Sequence, residues 1–164
     1  MKTVVLIRHA KSSWDNPTLD DFDRPLNARG QRDAPAMAHH LGKEGFAEGR
    51  WISSPAKRAL TTAQLMAKTL GRPADTLETD SRLYHAWTDT LLDIIREQPA
   101  AVDRLLLFAH NPGLTEMAHR LTQVRLDNLP TCGIFVVSFP ISDWRAAAYG
   151  KGNFVWLDYP KNHR

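Results

Sequence analysis

The sequence predicts a three-layer α/β/α domain on a mostly parallel central sheet, and three observations carry that reading. Short apolar runs of strand character alternate with stretches of helical period. One run, Leu105 to Ala109 (LLLFA), is apolar on both faces, as a strand covered by helices on each side must be. Polar clusters follow directly after three of the strand-like runs, at the carboxyl ends where open α/β sheets hold their ligands.

Each element follows in order. Thr3 to Ile7 (TVVLI) is the first strand, and after a polar loop Ala34, Met37, Ala38 and Leu41 recur at helical spacing. Pro35 falls inside that stretch, so the helix is expected to start late or to kink. Trp51 to Ser53 predicts a brief strand. The clearest helix follows, with Ser54 expected as N-cap, Pro55 at the first helical position, and Gly71 as terminator. Its apolar face is Ala59, Leu60, Ala63, Met66, Ala67 and Leu70. Leu91, Leu92, Ile94 and Ile95 predict another helix ending before Pro99, and Asn111-Pro112 opens one carrying Leu114, Met117, Ala118 and Leu121. Gly133 to Phe139 (GIFVVSF) and Asn153 to Asp158 (NFVWLD) predict two late strands joined near Gly150-Lys151-Gly152, an antiparallel edge.

Composition narrows the function classes. With 164 residues, 43% hydrophobic and 24% charged, the chain predicts a single domain spanning 1–164, able to hide about 70% of its unfolded surface without disulfide or metal staples. It shows no internal repeat and no linker. The lone cysteine, Cys132, cannot form an internal bridge, and no apolar stretch nears the roughly 18 residues of a membrane span. Arg8 and His9 interrupt the first apolar run too early for a secretory segment, so a cytoplasmic protein without a membrane partner is expected. Net charge is only +3, from 21 basic and 18 acidic residues, with no Lys/Arg block, which argues against a nucleic-acid partner. The basic excess lies in the first half, at Arg8, Lys11, Arg24, Lys57 and Arg58, and suggests a local anion site.

The three strand-end clusters are Arg8-His9, Ser53-Ser54-Pro55-Ala56-Lys57-Arg58, and His110-Asn111-Pro112. Each alone is an ordinary run of polar residues. Together they bring two guanidinium groups, two imidazoles and two helix N-termini toward one crevice, which is the chemistry of a phosphate pocket. A histidine nucleophile must be neutral, and its ordinary value of about 6.5, pressed lower by flanking arginines, favours that state. Fixed cations can balance charge on the phosphoryl oxygens, so neither metal nor cofactor is expected; the close His/Cys/Asp spacing of a metal site is missing. Other polar groups read as structural. Lys57 faces solvent, Asp15, Asp20, Asp21 and Asp23 form a hydrated loop, His39-His40 favour a helix C-terminus, and Cys132 is a small buried residue. Trp14 is the exception, expected to wall the pocket.

LIRHAKSSW (Leu6 to Trp14) resembles the RHG-type signature of the histidine phosphatase superfamily, with Ala10 where many members carry glycine. SSPAKRALTTA (Ser53 to Ala63) resembles its second motif and AHNPGL (Ala109 to Leu114) its third. DRPLNARG (Asp23 to Gly30), LYHA (Leu83 to Ala86) and YPK (Tyr159 to Lys161) are similar to the small SixA-type phosphohistidine phosphatases. The resemblance implies a phosphoglycerate-mutase-like fold, His9 as the phosphate-accepting nucleophile, Arg8 and Arg58 as phosphate clamps, and His110 as the second imidazole. Arg24, Asn111 and His85 are the expected substrate-binding residues. Larger members place an asparagine near position 15 and a catalytic glutamate near Leu83-Tyr84-His85; here Asp15 and His85 stand instead, and no dedicated carboxylic acid is identified. The implied activity is hydrolysis of protein phosphohistidine, on a partner such as a histidine phosphotransfer domain, by a monomer. The alternatives are a small-molecule phosphomonoesterase of the same superfamily and a phosphate- or phosphoprotein-binding module without turnover.

Overall fold

The computed structural model describes residues 1–164. The order is β1 (Lys2–Arg8), α1 (Ala28–Lys43), β2 (Arg50–Ser53), α2 (Lys57–Thr69), β3 (Leu77–Thr79), α3 (Thr88–Arg96), β4 (Arg104–Ala109), α4 (Gly113–Thr122), β5 (Ile134–Phe139) and β6 (Asn153–Asp158). One six-stranded sheet runs β3-β2-β4-β1-β5-β6. The first four of these are parallel, and β5 and β6 add the antiparallel edge that the sequence predicts.

The three layers follow from strand alternation. Val4 and Leu6 of β1 join Leu105, Leu107, Phe135 and Val137 on one face, packed on Leu91, Ile94 and Ile95 of α3 and Leu114, Met117 and Leu121 of α4. Val5 and Ile7 turn to the other face with Leu106, Phe108, Ile134 and Val136, against Ala34, Met37 and Leu41 of α1 and Ala63 and Met66 of α2. Both faces of β1 and β4 are therefore sealed, and the only polar exit from these strands is at their ends. Truncating a core leucine such as Leu107 to alanine would cost about 2–5 kcal/mol.

Three local expectations change. α1 starts at Ala28, capped by Asn27 Oδ1 accepting the Gly30 N–H at 2.9 Å, and continues through Pro35; the bond lost there falls at Gln31, an exposed residue. α2 starts two residues later than expected: Ser54 Oγ accepts the Ala56 N–H in a turn ahead of the helix, and the same hydroxyl meets His110 Nε2. β3 was invisible in the pattern: three residues, two of them exposed, ordered by pairing with β2.

Strand register assembles the crevice. Arg8 pairs with Ala109 and Ser53 with Phe108, so Arg8-His9, Ser53-Ser54 and His110 emerge side by side from β1, β2 and β4.

Candidate active site

His9 is pinned from both sides. Its N–H donates to Ala109 O at 3.2 Å, and its carbonyl accepts the N–H of Cys132 at 2.9 Å. Thr62 of α2 accepts the Ala10 N–H at 2.9 Å while its hydroxyl donates to Arg58 O at 2.7 Å, which ties the His9 loop to the turn of helix carrying Arg58. The His9 Nδ1 lies 2.7 Å from Ala10 O. A carbonyl only accepts, so Nδ1 carries the proton and Nε2 is left with a bare lone pair. Burial is the main influence on this ring; opposed by the Ala10 carbonyl and reinforced by Arg58, Arg8 and Arg24, it holds the pKa down to about 3. His9 is neutral at pH 7.

His110 stands with its ring centre 5.3 Å from that of His9. Its Nε2 is 2.8 Å from Ser54 Oγ, which also accepts the Ala56 N–H. In the tautomer that takes the Ser54 proton on Nε2, the His110 proton sits on Nδ1, which is buried and has no partner in the protein. Burial, followed by the fields of His9, Arg58 and His85, also lowers this pKa to about 3. Arg8 shows the same pattern: Nη1 donates to Leu129 O at 2.9 Å, while Nε is buried without an acceptor. Two further buried guanidinium nitrogens lack partners, in Arg72 and Arg104, but those groups lie over the Trp51 and Phe46 rings. An unmet buried donor is costly, and two at neighbouring strand ends beside a bare imidazole nitrogen mark a place for an anion's oxygens.

Asp21 organises the rim, which corrects its reading as a hydrated loop residue. Arg58 donates Nη1 to Asp21 O at 2.6 Å and Nη2 to Asp21 Oδ2 at 3.0 Å. Tyr84 OH donates to Oδ2 at 2.7 Å, His85 Nε2 lies 3.1 Å from Oδ2, and Arg24 Nη1 donates to Oδ1 at 3.1 Å. Partial burial alone would raise the Asp21 pKa, but Tyr84, Arg58 and Arg24 outweigh it and hold the carboxyl well below the usual range. Nothing in the sequence distinguishes Asp21 from Asp20 or Asp23; Tyr84 had a signal only inside LYHA.

The remaining predicted residues divide. His85 reaches the rim with its backbone in the left-handed region (φ 56°), its ring 5.6 Å from that of His110. Gly113 permits this approach, since a Cβ there would run into the Ala86 carbonyl. Arg24 is buried beside the site, yet its donors go to Ser12, Ser13 and Asp21, so it acts on His9 through its field. Asn111 is a correction: its amide donates to Asn128 Oδ1 and Leu129 O, and its oxygen accepts from Thr115, bracing the loop instead of facing the crevice. Trp14 is another, being 74% exposed and stacked on the Arg24 guanidinium at 3.3 Å. Cys132 is buried, its thiol pushed up by burial. His40 stacks on His163 beside Asp158, outside the crevice.

A neutral imidazole with one bare nitrogen, ringed by guanidinium groups at the ends of parallel strands, defines a phosphoryl-transfer site in an α/β enzyme. The family model described as "Histidine phosphatase superfamily (branch 1)" matches residues 4–125, and the chain belongs to that superfamily. It is a phosphatase of SixA-like form. A protein of Mycobacterium leprae without an assigned activity is 31% identical over 144 residues, covering 80% of this chain and 86% of its own. Among solved structures, one assigned as the phosphohistidine phosphatase SixA of Agrobacterium tumefaciens superposes with a TM-score of 0.81 at 25% identity, covering 97% of this chain and 98% of that one. A protein histidine phosphatase SixA complexed with tungstate superposes with a TM-score of 0.78 at 23% identity, covering 99% of both chains.

Proposed function

We propose that the protein hydrolyses protein-bound phosphohistidine through a covalent phospho-His9 intermediate. His9 Nε2 attacks phosphorus, the P–N bond to the substrate imidazole breaks, and the departing nitrogen takes a proton from solvent. Water then attacks phospho-His9, releasing inorganic phosphate and restoring the neutral ring. Arg8 Nε, His110 Nδ1 and the Arg58 guanidinium hold the equatorial oxygens, whose charge they balance without a metal.

The observation that carries the substrate class is the state of Asp21. It is the carboxyl group at the crevice, and it is ionised at neutral pH, so it has no proton to give. An alkyl phosphate leaves as a strongly basic alkoxide and needs a positioned acid; an imidazole leaves far more readily. The resemblance of the fold to SixA-type structures supports the same reading. A histidine phosphotransfer domain, meeting this protein in the cytoplasm as a monomer, is the partner class that fits.

Purified protein offered a phosphohistidine protein, an aryl phosphate and a serine phosphopeptide should turn them over in that order, without loss on chelation. Equal turnover of the serine phosphopeptide would replace this reading with a small-molecule or general phosphomonoesterase. His85→Gln should slow the aryl ester more than phosphohistidine if His85 supplies a proton.

A further inference from the structure

The segment Leu19-Asp20-Asp21-Phe22-Asp23 divides its residues between two tasks. Asp21 turns inward to Arg24, Arg58, Tyr84 and His85. Its neighbours face outward: Leu19 and Phe22 are each 37% exposed, and Asp20 and Asp23 are exposed acids with no ion pair and no side-chain hydrogen bond. Phe22 packs edge-on against Tyr84 at 5.1 Å, and the Tyr84 ring lies 5.6 Å from that of His110, so this face is continuous with the site. Trp87, two residues past His85, is 46% exposed, with the Arg120 guanidinium 5.5 Å from its ring. Seven large apolar side chains are left exposed on the molecule, and three of them, Leu19, Phe22 and Trp87, stand within two residues of Asp21 or His85. Clustering of this kind marks a surface that is covered in use.

The charge pattern says by what. Two unpaired carboxylates beside a phosphate crevice repel free polyanions, nucleic acid and anionic lipid alike, and attract cations within about 8 Å at physiological salt. We propose that Leu19, Asp20, Phe22, Asp23 and Trp87 form a docking rim for a protein whose phosphohistidine is flanked by apolar and basic side chains. This rests on the phosphohistidine reading above. The cationic floor takes the phosphoryl group while the acidic, apolar rim reads its surroundings. Such a division separates a carrier protein's phosphohistidine from other phosphate groups without a cap domain.

The test uses free phosphohistidine and two helical peptides, each with one phosphohistidine, flanked one turn away by Leu and Lys or by Ser and Glu. At low salt the Leu/Lys peptide should show a kcat/KM about tenfold higher than the Ser/Glu peptide, and added salt should shrink that ratio. The variant Asp20→Asn/Asp23→Asn should lose most of the preference. Leu19→Ser/Trp87→Ser should raise KM for the Leu/Lys peptide several-fold. Both should keep the wild-type rate on free phosphohistidine, which also reports that they are folded. Equal turnover of the two peptides, or a preference unchanged by removing both charges, would overturn the rim while leaving the phosphohistidine chemistry standing. Inert behaviour toward all three substrates would instead remove that chemistry, and the rim with it.

Discussion

Arg8, His9 and His110 on the floor of the crevice stand at the ends of β1 and β4, whereas Asp21, Tyr84 and His85 on its rim come from connections, at the single-turn 3-10 helices Asp21–Asp23 and Ser81–Leu83. Floor positions are set by sheet register, with two sealed core faces beneath them. Rim positions are set by one ionised carboxylate that four residues share, Arg24, Arg58, Tyr84 and His85. In the proposed reaction the floor meets phosphorus and its oxygens, while the rim holds Arg58 in place and faces the partner. Damage to the floor should therefore stop the chemistry, and damage to the rim should retune it.

The largest effect belongs to His9. His9→Ala removes the only nitrogen with a bare lone pair on the floor, and turnover should vanish while the thermal midpoint changes little. Rapid quench of the native enzyme with labelled substrate should leave acid-labile, base-stable phosphate on this residue. Normal turnover in the alanine variant would dissolve the distinction between floor and rim at its root.

Next come the donors. Arg8→Ala, Arg58→Ala and His110→Ala each remove a group aimed at transition-state charge, and each should lower kcat by about 10²–10³-fold. Arg58 belongs to both regions, since its guanidinium is buried on the floor and bonded to the rim. Asp21→Asn separates the two roles. Arg58 keeps its place on α2 but loses its charged partner, so turnover should fall by about tenfold, less than for any floor residue. A loss as large as that of Arg58→Ala would show that Asp21 is indispensable to the floor.

The same division explains what could be read from the sequence. Arg8, His9, Arg58 and His110 were legible because each follows a strand or opens a helix, and parallel strands force such residues to one edge. Asp21 was not, because an acid-rich loop without periodicity gives no sign of which carboxylate turns inward. Asn111 was misassigned for the converse reason: it sits in the right motif, but Asn128, Leu129 and Thr115, distant or one turn away, occupy its amide. Ser54 is expected to cap α2 on local grounds; its Oγ closes a turn onto the Ala56 N–H instead, beside a His110 contact that no local rule could place.

Acid stability should separate floor from rim with the smallest effect. Burial above all holds His9 and His110 to about 3 when folded, against an ordinary 6.5. Between those values the unfolded chain binds more protons than the folded one, so stability falls as pH drops from about 6.5 toward 3. Asp21 is also held below its ordinary value of 3.8, by Tyr84, Arg58 and Arg24, so the stability it contributes is present above that pH and is lost only below it. The two windows barely overlap. His110→Gln keeps a hydrogen-bonding side chain without the titration, and its urea midpoint should decline less steeply than the native protein's from pH 6.5 to 4.5. Asp21→Asn should leave that slope alone and alter the curve only below about pH 4. A His110→Gln profile parallel to the native one across the upper window would mean that the His110 imidazole protonates freely in the fold. His110 would then be a cation beside His9 at mildly acid pH, and the pH profile of turnover should change there in the native enzyme but not in the variant.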